Sequence, residues 1–376
     1  MERQSSSLTA PEATGVDGRP HPQHDPHFTH LLRIMVERHA SDLHLSSGMA
    51  PLIRLSGRLA PAGDFPKLTA DETRTIAQSL LNDEQRERFE QDQDIDFSFL
   101  VPGLARFRCC VYTQRGAVSI ALRVVPVAIP ALESLGLPPI IPRLAQRPQG
   151  LVLVTGPTGS GKSTTLAAMI DLINSTSPKH IVTIEDPIEF VHEGKMSLID
   201  QREISSDTPS FGRALRSVFR QDPDVVLIGE MRDLETISTA LTLAETGHLT
   251  LATLHTNSCA QTIHRIIDSF PASQQDQIRS QLSLVLEAVI TQTLLPLIQG
   301  GRILAAEIMI ATPAVRNLIR DGRVHQIYGA IQAGQTYGMR TMNQSLAELV
   351  GKKLIAKEVA LARSPMPEEI LKLIKD

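Results

Sequence analysis

The densest chemistry in the chain lies between residues 150 and 256. Gly156-Pro157-Thr158-Gly159-Ser160-Gly161-Lys162-Ser163 fits the pattern G-x-x-x-x-G-K-[ST]. Glycines at these positions let the backbone wrap closely around an anion. The N–H groups then point inward at a helix N-terminus, where the dipole favours phosphate. In this pattern Lys162 reaches the β- and γ-phosphates of ATP, and Ser163, with Thr164 beside it, sets a hydroxyl on Mg²⁺. The flanks agree. The apolar run Leu151 to Thr155 precedes the loop, and a helical segment with Leu166, Met169, Ile170 and Leu172 follows. The loop alone establishes nucleoside triphosphate binding and leaves open the work done with it.

Acids and histidines follow at strand ends. Asp224-Val225-Val226-Leu227-Ile228-Gly229-Glu230 is an apolar strand closing on a carboxylate, a Walker B pattern. In a parallel sheet that acid sits beside the phosphate loop. Glu230 could polarise the attacking water or hold Mg²⁺ through a water. Ile184-Glu185-Asp186-Pro187-Ile188-Glu189-Phe190 places three more acids at a strand end. A carboxylate near the γ-phosphate is the general-base candidate, Glu189 first and Glu185 second. His248 and His255 flank the strand Leu249 to Leu254. No carboxylate or cysteine completes a metal site with them, so the reading is a γ-phosphate sensor, since neutral imidazole donates one hydrogen bond. Packed structural histidines are the other reading.

These residues need a scaffold, and the pattern supplies two domains. Residues 1–26 are rich in Ser, Pro, Gly, Gln and His and read as a disordered tail. His21, His24, His27 and His30 recur there at three-residue steps, and a solvated tail outweighs a metal site. Over 27–130 a small α+β domain is expected. Leu31, Leu32, Met35 and Val36 have helical spacing. Strands are expected at 42–45, 52–55, 95–99, 105–113 and 117–125, with one charged helical stretch from Asp71 to Gln91. Six prolines between Pro126 and Pro148 mark 131–149 as a linker. Across 150–376, apolar strands alternating with helices imply a mostly parallel α/β sheet, helical after about Pro313.

Bulk composition narrows the classes. Lys plus Arg is 37 and Asp plus Glu is 41, so no global charge draws the chain to nucleic acid. Aromatics are 3% with no Trp, against a base-stacking platform. No apolar run approaches the ~20 residues of a membrane helix. Cys109, Cys110 and Cys259 lack CxxC spacing and read as reduced thiols. A cytoplasmic protein, meeting membrane only through partners, is expected.

The four motifs, in this order, resemble the secretion ATPases of type II secretion and type IV pili. They are the phosphate loop, an acidic box (Thr183 to Phe190), the Walker B strand and a histidine box (Ala244 to Thr256). Within that superfamily the chain resembles the PilT-type pilus retraction, or twitching motility, branch. Ala40-Ser41-Asp42-Leu43-His44, the Arg106-Phe107-Arg108 strand and Thr312-Pro313-Ala314-Val315-Arg316-Asn317-Leu318-Ile319-Arg320 also fit it. The three cysteines cannot form the four-cysteine zinc insert usual in the assembly branch. The resemblance implies a homo-hexameric ring, a PAS-like first domain and a RecA-like P-loop ATPase domain. It implies Mg-ATP between the domains, with first-domain arginines closing on the phosphates. Arg106, Arg108, Arg115 and Arg123 fall in the right strands, Arg108 and Arg123 foremost, though Cys109-Cys110-Val111-Tyr112 departs from the usual residues there. Arg213, Arg216 and Arg220 share a helix face and could reach a neighbouring subunit or simply be solvated. The partner implied is an inner-membrane platform protein, met at the cytosolic face. The helix at 315–320 is a candidate transmission surface, with a plain core helix as the equal alternative. A DotB-like secretion ATPase and a nucleotide-binding accessory subunit are the rival functions.

Overall fold

The computed structural model describes residues 26–55, 57–125 and 128–374. The polar tail, with His21 and His24, lies outside the described residues. The chain divides into two compact units, Met1–Val127 and Ala128–Asp376.

The first unit opens with α1 (Pro26–Glu37), whose Phe28, Leu31, Leu32 and Met35 turn inward. Strands β1 (Asp42–Ser46), β2 (Leu52–Leu55) and β3 (Arg58–Pro61) follow, then α2 (Ala70–Leu80) and α3 (Asp83–Asp92). The long strands β4 (Asp94–Val101), β5 (Ala105–Gln114) and β6 (Ala117–Val125) complete it. The sheet order is β3-β2-β1-β6-β5-β4, with antiparallel pairing throughout. Alternation sets the faces: Phe107, Cys109 and Val111 of β5 are buried, while Arg106, Arg108 and Cys110 point to the other side. The stretch expected as one helix over 71–91 is broken at Leu81-Asn82. Asn82 accepts a hydrogen bond from Gln85 N–H at 2.8 Å while the Gln85 side chain accepts from Asn82 N–H at 3.0 Å. That reciprocal cap starts a new helix, because it satisfies donors the old helix cannot reach.

In the second unit the proline-rich interval is not an open linker, and this corrects the expectation for 131–149. A 3-10 turn (Leu132–Leu135) and α4 (Ile140–Ala145) occupy it. Leu132, Ile141, Leu144 and Ala145 are buried against Val152, Val154 and Ile170. Its prolines sit at turns and in a helix's first positions, where a missing N–H costs nothing. Then come β7 (Gly150–Thr155), α5 (Lys162–Thr176), β8 (His180–Glu185), β9 (Leu198–Glu203), α6 (Phe211–Val218), β10 (Val225–Ile228), α7 (Leu234–Glu245) and β11 (Leu249–Leu254). Helices α8 (Cys259–Asp268) and α9 (Gln275–Val285) lead to the hairpin β12 (Leu286–Pro296) and β13 (Arg302–Ile310). Helices α10 (Pro313–Arg320), α11 (Ile327–Ala333), α12 (Met342–Gly351), α13 (Lys357–Arg363) and α14 (Pro367–Leu373) close the chain. The sheet order is β13-β12-β7-β11-β10-β8-β9, parallel except for the β12–β13 hairpin. This is the mixed α/β architecture expected: a smaller α+β unit, then a parallel-sheet unit carrying the phosphate loop.

Every residue of β7 and of β11 is buried. Each large aliphatic side chain so placed contributes about 1.5–3 kcal/mol. The strand that runs into the glycine loop is therefore firmly held in the sheet. Among the described residues no helix is long and apolar enough to cross a membrane.

Candidate active site

Parallel strands bring their C-terminal ends to one edge. There β7 runs into Gly156, β11 into His255, β10 into Gly229-Glu230 and β8 into Asp186. Four segments far apart in sequence thus meet at one edge, as the sheet order requires.

The loop is held from below. A β-carbon at Gly156 would lie 2.3 Å from the Gln292 carbonyl oxygen of β12, and its φ is +140°. Only glycine fits so close to strand backbone. Gln292 in turn donates from Nε2 to Thr165 Oγ1 at 2.8 Å, tying β12 to α5. Gly161, at φ +90°, turns the chain into α5. Pro157, Thr158 and Gly159 form the exposed rim, and Ser163 and Thr164 are half-buried at the helix start. Ser160 is buried with its hydroxyl unpartnered among the described residues. An unpaired polar atom in a glycine-lined concavity at a helix N-terminus suits an anionic oxygen.

Lys162 is 8% exposed and donates to the Gly156 and Pro157 carbonyls at 2.9 and 3.2 Å. Burial lowers its pKa, and the carboxylates of Glu230 and Glu189 pull in the opposite direction without cancelling it. The charges of both acids thus favour the protonated form of the loop lysine.

Glu230 is fixed by an ion pair with Arg232 Nη2 at 2.7 Å and by His255 Nε2 at 3.2 Å. Burial pushes its carboxyl up, but the Arg232 hydrogen bond and the charges of His255 and Arg232 outweigh that and hold it below the usual range. Its backbone is pinned by β11: Thr253 Oγ1 donates to Gly229 O, and Met231 N–H donates to Thr253 O.

Glu185 is of another kind. It accepts from Thr183 Oγ1 at 2.7 Å and Gln201 Nε2 at 3.3 Å. Burial pushes its carboxyl up to about 7, against hydrogen bonds from Thr183, Gln201 and the Glu189 backbone. Glu189 itself is exposed. Glu185 is half-buried at the end of β8.

His248 requires correction. It precedes β11, whereas the phosphate loop lies beyond the C-terminal end of the neighbouring strand. Six strand residues, and so seven residue steps, separate it from His255, about 23 Å at ~3.3 Å per step. Its ring instead meets Leu243 O at 3.0 Å and packs edge-on against Phe219. Within one chain it lies at the opposite end of the strand from the glycine loop and Lys162.

Arg108 and Arg123 lie in the first unit, directly opposite on β5 and β6. Arg123 Nε pairs with Asp42 Oδ1 at 2.9 Å, and Arg108 stands 4.0 Å from Asp96. Arg106 donates to Ser98 Oγ at 2.6 Å, and Arg115 sits in the β5–β6 turn with φ +49°. Of the α6 face, Arg216 pairs with Glu235. On α10, Val315 and Ile319 are core and Leu318 is half-buried, while Arg316 donates to the Ser283 and Leu284 carbonyls and pairs with Glu287.

Sequence reasoning missed Arg232, Gln201 and Gln292. Arg232 stands two residues beyond Glu230 and could have been found by its charge. The two glutamines act through tertiary contacts that no local pattern reveals.

Residues 81–359 match the family model described as type II/IV secretion system protein. The chain belongs to that family. PilT of Pseudomonas aeruginosa, a type IV pilus retractation ATPase, is 51% identical over 91% of this chain and 99% of its own length. A crystal structure of the pilus retraction motor PilT with bound ADP superposes with a TM-score of 0.86 at 49% identity, covering 91% of this chain and 98% of that one. The Legionella pneumophila ATPase DotB, also of this fold, has a TM-score of 0.79 at 27% identity, covering 95% of this chain and 99% of its own.

Proposed function

We propose that this secretion-family chain is an ATP-hydrolysing motor that powers type IV pilus retraction, and hence twitching motility. One observation carries the chemistry: a buried loop lysine under the charge of two carboxylates, Glu189 and Glu230, at one sheet edge. The 51% identity to PilT along nearly its full length supports retraction over a DotB-like role, for which identity is 27%.

The loop N–H groups from Gly156 to Thr164 and the α5 dipole hold the phosphates. Lys162 exchanges its two carbonyl partners for phosphate oxygens, which recover its desolvation cost. The Ser163 hydroxyl and the Glu230 carboxylate are oxygen donors of the kind Mg²⁺ takes. Bound there, the cation would neutralise charge on the phosphates. Glu189 orients the attacking water and accepts its proton. Glu230, steadied by Arg232, presents His255 toward the same space. Arg108 and Arg123 are the candidate cations of the first unit, which acts as the PAS-like partner of the RecA-like motor unit. The working form is a homo-hexamer at the cytosolic face of the inner membrane, driving a membrane platform protein.

The test is complementation of a piliated cell that lacks its retraction ATPase. The wild-type chain should restore retraction and Lys162→Ala should not. A wild-type chain that hydrolyses ATP yet restores no retraction would remove the pathway from this reading.

A further inference from the structure

Among the described residues, strand β9 lies at the edge of the sheet and pairs only with β8. Its polar sequence, Leu198-Ile199-Asp200-Gln201-Arg202-Glu203, resembles a solvated surface, yet two of its side chains hold the acidic loop. Gln201 stands in register with Thr183. Its Nε2 donates to Phe190 O at 2.8 Å and to Glu185 Oε1 at 3.3 Å, while its Oε1 accepts from His192 N–H at 2.7 Å. Glu203, 2% exposed, accepts from Ile188 N–H at 3.0 Å. The loop is therefore pinned at residues 188, 190 and 192. Glu189 lies between the first two pins.

We infer that Gln201 is a positioning residue for hydrolysis: its amide fixes the Glu189 segment and orients the Glu185 carboxylate, without touching nucleotide. The inference rests on the reading of Glu189 as the water-directed acid. The position needs both a donor and an acceptor, which an amide supplies and a carboxylate or an alkyl chain does not. Thr183 and Gln201 both donate to Oε1 of Glu185, and such donors bind the ionised carboxylate more strongly than the neutral acid. A donor to the charged form favours that form, so Gln201 makes Glu185 more acidic than its burial alone would. The charges around Glu185 are Glu189 on the loop, Asp186 beside it and Glu203 opposite on β9. From β10 it meets the backbone of Gly229, with Glu230 next along the chain.

The experiment compares Gln201→Leu and Gln201→Glu with wild type in kcat and KM for Mg-ATP across pH, and in affinity for a fluorescent ADP analogue. The expected result is a kcat at least tenfold lower, ADP affinity within about twofold, and an acid limb of kcat moved to higher pH in both variants, further in Gln201→Glu. Should Gln201→Leu fail to fold, Gln201→Met supplies the apolar arm. An unmoved acid limb, or a kcat loss matched by loss of ADP affinity, overturns the proposal. Glu185→Gln and Glu189→Gln separate the two failures. If both hydrolyse normally, the acid reading has failed. If they are impaired while Gln201→Leu keeps wild-type kcat and acid limb, only the role of Gln201 has failed.

Discussion

Replacing Glu185 by glutamine should make this protein more stable at pH 8 than at pH 5, relative to wild type. Its carboxyl has an ordinary value of 4.5 and stands at about 7 in the folded chain, raised first by burial and further by Glu189. The folded state therefore binds the proton more tightly than the unfolded one. The stability this supplies is fully present below 4.5 and is lost as pH rises through 7. Each pH unit across that interval is worth about 1.4 kcal/mol, so the full loss is about 3 kcal/mol, of which about 2–3 falls between pH 5 and pH 8. Glutamine is neutral at both pH values and occupies the same volume. Any hydrogen bond it forms poorly with Thr183, Gln201 or the Glu189 N–H costs about 1 kcal/mol equally at both. That constant cancels in the comparison. The assay is urea unfolding of variant and wild type, without nucleotide, at the two pH values. The variant's relative stability should rise by about 2–3 kcal/mol from pH 5 to pH 8. A difference that stays the same within about 0.5 kcal/mol would refute the claim that Glu185 is enclosed and proton-binding.

Gly156→Ala places a methyl group 2.3 Å from strand backbone, so nucleotide affinity should fall at least tenfold, with about 2–3 kcal/mol lost in thermal unfolding; unchanged affinity would mean that β12 yields. Glu189→Gln should keep nucleotide binding and lower kcat by about 10²–10⁴; normal turnover moves the base elsewhere. Leu318→Ala, on the half-buried side of α10, should spare ATP hydrolysis and block retraction in cells. Equal loss of both would assign α10 to the core.

The phosphate loop was legible because two independent signals coincide there: an unbroken apolar run at 151–155 and a glycine pattern opening a helix. Walker B was legible for the same reason: an unbroken apolar run, Val225 to Ile228, ends at Gly229-Glu230. Other elements were hidden by their surroundings. Strand β9 is paired on one side only, so its residues need not be apolar and read as surface. Strand β12 follows α9 without a turn residue between Val285 and Leu286, which erases its start. The break between α2 and α3 was visible in principle, since Asn82 and Gln85 have capping-box spacing. His248 misled because the two ends of one strand are near in sequence and far apart in space. The displaced acidity of Glu185 arises from burial and the nearby charge of Glu189, against the hydrogen bonds of Thr183 and Gln201, and only the fold assembles these groups.

The central claim is that Lys162 and its loop carry ATP hydrolysis in this chain. Steady-state turnover of Mg-ATP by the purified protein, beside Lys162→Ala at equal concentration, tests it most directly. The account predicts measurable turnover in wild type and a loss of at least 10²-fold in the variant. Turnover by Lys162→Ala equal to wild type would contradict it.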